Sequence, residues 1–300
     1  MLQKYDPRNR DILVNINGEL VHRDQARISP FDSSVQGGDA VWEGLRVYDG
    51  RIFCLREHLD RLRSSALALA FASIPTHEEI TTQIRRTLEA NQMRDGVHMR
   101  LTLTRGEKVT SGMDPRLNTK GPTLIVLAEH KAPVYDKTGL RLITSTIRRP
   151  SADVLDPKIH HNNLINSIMA KIQANLAGVD DALMLDGRGF VAETNATHIF
   201  LVSQGVVRTP HVAACPEGIT RSVVLRICRE RKLPYEVCDL SLTEVYRADE
   251  MFCTGTMGEL AAVVEVDSRK IGDGKSGPVT AQLSGFFREL TQVEGERLVP

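Results

Sequence analysis

The chain has 300 residues, of which 41% are hydrophobic and 25% charged, a balance that excludes a disordered chain and a coiled coil; the length predicts two domains. Lysine plus arginine number 38 and aspartate plus glutamate also 38, so no overall basic field exists to hold nucleic acid or an anionic membrane. No apolar run approaches the roughly 20 residues that span a bilayer, and the N-terminus is polar, so we expect a cytoplasmic protein.

The N-terminal part of the chain predicts a sheet with two helices. Asn17-Gly18 lies between two alternating segments, which is a strong hairpin signal. Thr76 and Glu79 predict a capping box at the start of a helix. Residues 97–104 alternate between apolar and polar side chains, which predicts a strand with one polar face.

The stretch from residue 131 to 139 contains little that can pack, so it predicts a linker. It separates a smaller domain over residues 1–130 from a larger one over 140–300. The second half mixes strands and helices without regular βαβ alternation, and we therefore expect two domains of the α+β class. We expect a helix over residues 163–176 to bury one apolar side, formed by Leu164, Ile168, Ile172 and Leu176.

The segment from Gly272 to Gly277 fits the spacing G-x-G-x-x-G of dinucleotide-binding loops. The chain after Gly277 is too short for the second strand and acidic ribose ligand that such a fold requires. We interpret the segment as a loop before a helix that starts near Pro278.

Two other segments can offer backbone N–H groups to a phosphate: Gly218 to Arg221 at a predicted helix start, and Thr254 to Gly258 after a predicted strand. Each alone also fits a simple cap or turn. A helix N-terminus and a Gly/Thr loop from one domain can converge on one phosphate, and Arg61 is a candidate for the balancing charge.

Lys158 lies in a polar cluster before an apolar helix, where a lysine can become a Schiff-base nucleophile or remain an ordinary solvated side chain. The nearby His160 and His161 lack the spacing of metal ligands, and we expect no metal site. Glu193 precedes a polar turn, so its carboxylate can lie beside a protonated ring nitrogen or cap the turn.

Taken together, these segments resemble the class IV pyridoxal-phosphate enzymes, in their branched-chain aminotransferase-like branch. The matching segments occur in order over about residues 12–290. They are Val41 to Arg46, Glu57 to Leu62, Lys158 with its polar followers, Glu193 to Phe200, Gly218 to Arg221, Thr254 to Thr256 and Gly277 to Thr280.

The resemblance implies the two-domain class IV aminotransferase fold, known as PLP fold type IV, with pyridoxal 5′-phosphate between a smaller and a larger domain of a homodimer or higher homo-oligomer. It implies that Lys158 is the catalytic lysine and that Glu193 pairs with the pyridine nitrogen. It also implies a phosphate site made by Arg61, Ile219, Thr220 and Thr256.

The resemblance also implies where substrate binds, and here the chain departs from the family. Arg100 matches the position that holds a substrate carboxylate, and Met257 follows the phosphate loop. His98 stands where branched-chain aminotransferases usually carry an aromatic residue, and Trp42 replaces a customary phenylalanine. Asn163 occupies the position of a tyrosine near the cofactor's phenolic oxygen. Amino transfer is therefore a firmer prediction than the identity of the amino donor.

We expect an aminotransferase that moves the amino group of a hydrophobic, branched-chain amino acid to 2-oxoglutarate by a ping-pong route. Three alternatives remain open. One is a transaminase for D-amino acids or primary amines, another is an aminodeoxychorismate lyase on the same fold, and the third is a non-catalytic protein that binds a phosphate ligand.

Overall fold

The computed structural model describes residues 3–133, 135 and 138–300. Residues 134, 136 and 137 of the predicted linker lie outside the described residues. The chain forms two compact units. The N-terminal unit comprises Leu2–Ala132, Ile159–Asn163 and Thr291–Pro300, and the C-terminal unit comprises Pro133–Lys158 and Leu164–Leu290.

The N-terminal unit is an antiparallel sheet with helices packed on one face. Its strands are β1 (Leu13–Ile16), β2 (Glu19–His22), β3 (Ala40–Tyr48), β4 (Arg51–Ile52), β5 (Val97–Thr104) and β6 (Thr123–His130). Its helices are α1 (Ser33–Gly37), α2 (Leu55–Ala68) and α3 (His77–Ala90). Alternate residues of the strands meet α2 and α3 in a continuous apolar core that includes Leu45, Leu59, Ile84, Met99 and Leu101.

The C-terminal unit is a mixed sheet with its own helices. Its strands are β7 (Leu140–Thr144), β8 (Asp181–Leu185), β9 (Val191–Thr194), β10 (His198–Ser203), β11 (Val206–Thr209), β12 (Tyr235–Val237), β13 (Glu250–Gly255), β14 (Glu259–Val266) and β15 (Arg269–Lys270). The helices are α4 (Ala152–Leu155), α5 (Ile165–Leu176), α6 (Ile219–Glu230), α7 (Leu242–Tyr246) and α8 (Pro278–Val293).

The two sheets differ in strand order. The C-terminal sheet runs β12-β11-β10-β13-β14-β7-β8-β9, with β15 paired to β14. The parallel pairs β14·β7 and β7·β8 stand beside antiparallel ones, which confirms the predicted mixed α+β class. Near the C-terminus, β16 (Glu296–Arg297) pairs with β4 and completes the N-terminal order β16-β4-β3-β5-β6-β1-β2.

Two local predictions in the N-terminal unit are confirmed. Asn17 and Gly18 both have positive φ and join β1 to β2, as a tight hairpin requires. Thr76 accepts from the backbone N–H of Glu79, and the Glu79 carboxylate accepts from the backbone N–H of Thr76, so α3 begins with a capping box.

The expected burial of α5 is wrong. Ile168 and Ile172 are each 50% exposed and Leu176 is 84% exposed. The buried side of the helix is the alanine side, where Ala170 and Ala174 pack with Ala182 and Met184. Small residues let α5 approach the sheet closely, and the larger apolar row consequently faces away from it.

The segment from Gly272 to Gly277 is a loop, as predicted, and α8 begins at Pro278. The carboxylate of Glu250 accepts hydrogen bonds from the backbone N–H groups of Val279 and Thr280 at 3.0 and 2.8 Å. A Cβ at Gly277 would lie 2.0 Å from Glu250 Cδ, so this glycine admits the capping carboxylate. The N-terminus of α8 is thus filled by a side chain of the protein.

Over the part of the chain that the structure covers, no helix is long and apolar enough to cross a membrane.

Candidate active site

Lys158 ends the segment that follows α4 in the C-terminal unit. Pro157 before it is buried, whereas the Lys158 side chain is exposed. The backbone N–H of Lys158 donates to Asp156 Oδ1 at 3.0 Å, which fixes the turn that presents the lysine. The amine is therefore accessible to a ligand while its backbone is held.

Glu193 lies on β9 and is only 5% exposed. An Nη atom of Arg149 lies 2.8 Å from Glu193 Oε1. Arg149 also donates to Asn166 Oδ1 and Ser167 Oγ at 3.3 and 3.1 Å, and to the Ala214 carbonyl at 3.3 Å. A guanidinium anchored at several points thus holds a buried carboxylate in one orientation.

Cys215 is a buried thiol of the C-terminal unit. Burial raises the pKa of its thiol, and Glu193 raises it further. Arg221, Arg149 and Lys158 act in the opposite direction on the same thiol. Because burial has the largest effect, the thiol stays protonated at neutral pH.

The N-terminus of α6 is built to accept an anion. Gly218 has an extended conformation at the N-cap, and no side chain caps the helix. The backbone N–H groups of Ile219 and Thr220 lie in the first turn, which makes no intrahelical hydrogen bonds. A Cβ on Gly218 would lie 2.2 Å from the His198 ring, so only glycine lets the helix start so close to that ring.

The loop after β13 lies beside the same histidine. His198 on β10 is paired in register with Thr254 on β13. Among the residues that the structure describes, the buried Thr254 Oγ1 has no hydrogen-bond partner. Thr256 and Met257 form the turn that follows. His198 thus brings together both segments that the sequence singled out as phosphate sites.

These residues fit pyridoxal 5′-phosphate. The first turn of α6 and the hydroxyl of Thr254 suit a phosphate, because a helix N-terminus presents backbone N–H groups and Thr254 Oγ1 has no hydrogen-bond partner among the described residues. The buried carboxylate of Glu193 suits a protonated ring nitrogen. The exposed amine of Lys158 suits a carbonyl carbon.

The other predicted site residues lie in the N-terminal unit, where Arg61 is paired with Glu43. Arg61 Nε donates to Glu43 Oε1 at 2.8 Å, and one Nη donates to Glu43 Oε2 at 2.7 Å. His58 Nδ1 lies 2.7 Å from Oε2, and His160 Nδ1 lies 3.3 Å from Oε1. Burial opposes the charge on Glu43, yet Arg61 and His160 hold the pKa of that carboxyl well below its usual value.

Trp42 supports Arg100 on the neighbouring strand. The Arg100 guanidinium lies 3.6 Å from the centre of the Trp42 ring, and one Nη donates to Asn162 Oδ1 at 2.8 Å. Trp42 also stacks on His160, with ring centres 4.3 Å apart. Burial lowers the pKa of Arg100 to about 10, so it stays charged at neutral pH.

His98 is a buried, neutral imidazole beside Arg46 on the neighbouring strand. Burial, helped by Arg46 and Lys131, lowers its pKa to about 3. In the described part of the chain neither ring nitrogen has a hydrogen-bond partner. The residue can therefore offer a hydrogen bond to a ligand without adding charge.

Asn163 is held by the N-terminal unit. Its Nδ2 donates to the Gly38 carbonyl at 3.1 Å, and its backbone N–H donates to His161 Nδ1 at 3.1 Å. A Cβ on Gly38 would lie 2.8 Å from Asn163 Oδ1, so the glycine makes room for the amide.

Several residues of these clusters were not predicted as site residues from the sequence, among them Arg149, Glu43 and His160. Arg149 is a single arginine in a loop, and no local pattern links it to Glu193. Glu43 lies within a matched segment and His160 lies just after Lys158. Only the fold shows that both lie beside Arg61. The signal available for Glu43 was its charge, because the other residues in its row of β3 are apolar.

Comparison with known proteins identifies the family to which this chain is similar. The family model for amino-transferase class IV matches residues 40–266. The chain is 55% identical over 96% of its length to the branched-chain-amino-acid aminotransferase-like protein 2 of Arabidopsis thaliana, of which it covers 52%. It therefore spans about half the length of that relative.

Other matches extend over nearly whole proteins. The branched-chain-amino-acid aminotransferase of Pseudomonas aeruginosa is 32% identical over 96% of this chain and 95% of its own length. A crystal structure of a T.th. branched-chain amino acid aminotransferase complexed with N-(5′-phosphopyridoxyl)-L-glutamate has a TM-score of 0.87 and 33% identity, and the match covers 94% of each chain.

Proposed function

The chain belongs to the class IV aminotransferase family, and from that premise we propose that it is a pyridoxal-phosphate-dependent transaminase that moves an amino group from a hydrophobic, branched-chain amino acid to 2-oxoglutarate. Pyridoxal 5′-phosphate is the cofactor that the family fold accommodates, as the phosphopyridoxyl group of the solved relative illustrates. The donor, the acceptor and a ping-pong order are parts of the proposal.

One observation carries it: the C-terminal unit contains both a buried carboxylate held by an arginine and a lysine whose side chain is exposed. A phosphate-binding protein without catalytic activity needs neither group. When bound, the cofactor ring accepts the electron pair released as the substrate Cα–H bond breaks. Glu193 would keep the ring nitrogen protonated, and Lys158 Nζ would carry the proton between the substrate Cα and the cofactor C4′, in one direction in each half-reaction.

The remaining site residues have supporting roles in the proposal. Ile219, Thr220, Thr256 and Arg61 bind the phosphate, and Asn163 lies at the position of the family's tyrosine. Arg100 binds a substrate carboxylate, because it is charged and held by Trp42 and Asn162. Trp42, His98 and Met257 shape the substrate site.

The test is the visible absorption spectrum of the purified protein, before and after an L-branched-chain amino acid is added without acceptor. We expect a yellow band that bleaches, and its return when 2-oxoglutarate is added. Lys158→Ala should lose the band and reduce turnover by at least about 1,000-fold. The matched control, Lys270→Ala, removes an exposed lysine of β15 and should behave as the wild type.

A band that persists with L-donors but bleaches with D-amino acids or primary amines would replace the donor assignment. Pyruvate release from aminodeoxychorismate without an acceptor would identify the lyase. A protein that stays colourless with added pyridoxal phosphate would contradict the cofactor proposal.

The proposal includes a homodimer, and α5 supports it. An exposed apolar row on this helix is formed by Ile165, Ile168, Ile172 and Leu176. Such rows usually mark a surface that associates with another protein, and an uncharged row is compatible with a self-complementary contact. Sedimentation velocity should show a dimer for the wild type and a shift toward monomer for Ile172→Glu. A monomeric wild type would contradict this part.

A further inference from the structure

Glu43 is a charged residue in an apolar row. Val41, Leu45 and Val47 on β3 share its face of the sheet, and all three are fully buried in the core of this unit. Glu43 itself is 0% exposed. A hydrophobic residue at this position would continue the core without the desolvation cost of removing a carboxylate from water.

The carboxylate has a partner at each oxygen. His58 and Arg61 stand three residues apart on α2, so both face β3 from one side of that helix. Arg61 contacts both oxygens with two of its nitrogens, at 2.8 and 2.7 Å. This two-point contact fixes the plane of the guanidinium as well as its position.

His160 approaches the same carboxylate from the segment Ile159–Asn163. Its Nδ1 donates to the Trp42 carbonyl at 2.5 Å and lies 3.3 Å from Glu43 Oε1. Burial lowers the pKa of His160 even though Glu43 opposes the shift, so its ring is neutral at pH 7. Glu43 and Arg61 therefore form a charged pair within this cluster, and His58 and the neutral ring of His160 lie beside it.

A buried ion pair of this kind contributes little to stability compared with hydrophobic residues of similar size. It does restrict the orientation of its members. We propose that Glu43 is a positioning residue that orients the Arg61 guanidinium to bind the phosphate monoester of the cofactor. This inference rests on the proposed function, and it assigns to Glu43 the selectivity for phosphorylated over unphosphorylated ligand.

The experiment measures how strongly the cofactor-free apoprotein discriminates pyridoxamine 5′-phosphate from pyridoxamine, two ligands that differ only in the phosphate. Trp42 is the single tryptophan of the chain and stacks on His160, so its fluorescence reports on this cluster. We expect the ratio of the two dissociation constants to fall at least about tenfold in Glu43→Gln. The amide keeps one acceptor oxygen and turns an N–H toward the donors of Arg61 or His58.

A variant at Arg61 keeps the test decisive if Glu43→Gln folds poorly. Arg61→Lys keeps the positive charge and loses the two-point contact, so it should show a similar fall in the ratio. In the double variant Glu43→Gln/Arg61→Ala, the ratio should equal that of Arg61→Ala alone, because Glu43 acts through Arg61. Glu107→Gln makes the same chemical change at the exposed pair with Lys120 and should leave the ratio unchanged.

A merely structural role of Glu43 would weaken the binding of both ligands equally and leave the ratio intact, which would overturn the inference. A wild type that prefers the phosphorylated ligand, combined with an unchanged ratio in Arg61→Lys, would also overturn it and leave the proposed function standing. A wild type that binds neither ligand would overturn both.

Discussion

Each unit of the molecule contains a buried carboxylate on a strand, paired with arginine, and we propose opposite roles for the two pairs. In the N-terminal unit, Glu43 is enclosed by the core and its partner Arg61 is the more accessible member, with side-chain exposures of 0% and 15%. In the C-terminal unit both side chains are nearly buried, with exposures of 11% for Arg149 and 7% for Glu193. Arg149 is anchored by three further acceptors, and in the proposed function Glu193 is the member that meets the cofactor.

Two ion pairs of the same composition can therefore have different roles, depending on which member the protein holds in place. A carboxylate that is fixed by core packing can orient an arginine, which then meets an anion. An arginine that is fixed by a loop carbonyl and side-chain oxygens can orient a carboxylate, which then meets a cationic ring. In both cases the anchored partner is expected to act through the other, and substitutions of the two partners should have different consequences.

The strongest test of the C-terminal pair is Glu193→Gln. The amide has nearly the same size but cannot keep a ring nitrogen protonated by its charge, so kcat should fall about 1,000-fold. Single-turnover absorbance with an amino donor measures the loss. Cofactor affinity should fall much less, because the phosphate contacts remain. A kcat within threefold of the wild type would contradict the role given to Glu193.

Arg149→Gln should have the next largest effect. Removing the guanidinium leaves a buried carboxylate without its cation, which should destabilise the protein by about 3–5 kcal/mol and lower kcat about 100-fold through misorientation of Glu193. Urea unfolding and steady-state kinetics measure the two effects. Arg94→Gln is the control, because that arginine and its partner Asp49 are both exposed, so the substitution should change stability by about 0–1 kcal/mol.

Local sequence signals predicted much of this fold because their causes are local. The hairpin at Asn17-Gly18 and the capping box of Thr76 need only neighbours within a few residues. The burial of α5 was predicted wrongly because periodicity defines an apolar side but not the surface it meets. Ala170 and Ala174 carry little hydrophobic signal, yet they allow the closest approach to β8.

The prediction of the candidate site depended on the order of the motifs, because no single residue indicated it alone. Lys158, Glu193, Thr220 and Thr256 stood out as parts of segments whose order matched one family. Arg149 did not, because its link to Glu193 crosses from one loop to a strand 44 residues further along the chain. Contacts of this kind depend on strand order in the sheet, which no local pattern encodes.

Trp42→Phe tests the N-terminal unit, and its expected effect on the kinetics is smaller. The smaller ring weakens the cation–π contact with Arg100 and loses the hydrogen bond from Nε1 to the His161 carbonyl at 3.1 Å. We expect KM for 2-oxoglutarate to rise about fivefold, equivalent to about 1 kcal/mol, with kcat changed less than twofold. Phe71→Leu is the control, since it removes a ring from beneath Arg105. An equal rise in KM there would contradict a specific role of Trp42.

The pH dependence of stability distinguishes His98 from the ion pairs. Its folded pKa of about 3 lies below the ordinary value of 6.5, so the unfolded chain binds this proton more readily over that interval. Stability should therefore fall as pH drops from 7 through 5 toward 3, and His98 alone should account for about 2 kcal/mol of the loss by pH 5.

His98→Gln cannot take up this proton, so its stability should decline less than that of the wild type between pH 7 and pH 5. Urea unfolding at both pH values measures the difference, and equal declines would show that His98 does not remain neutral in the folded chain. Because the role proposed for Glu193 depends on its charge while His98 is held neutral, His98→Gln should alter this acidic limb with a much smaller loss of kcat at pH 7 than Glu193→Gln causes.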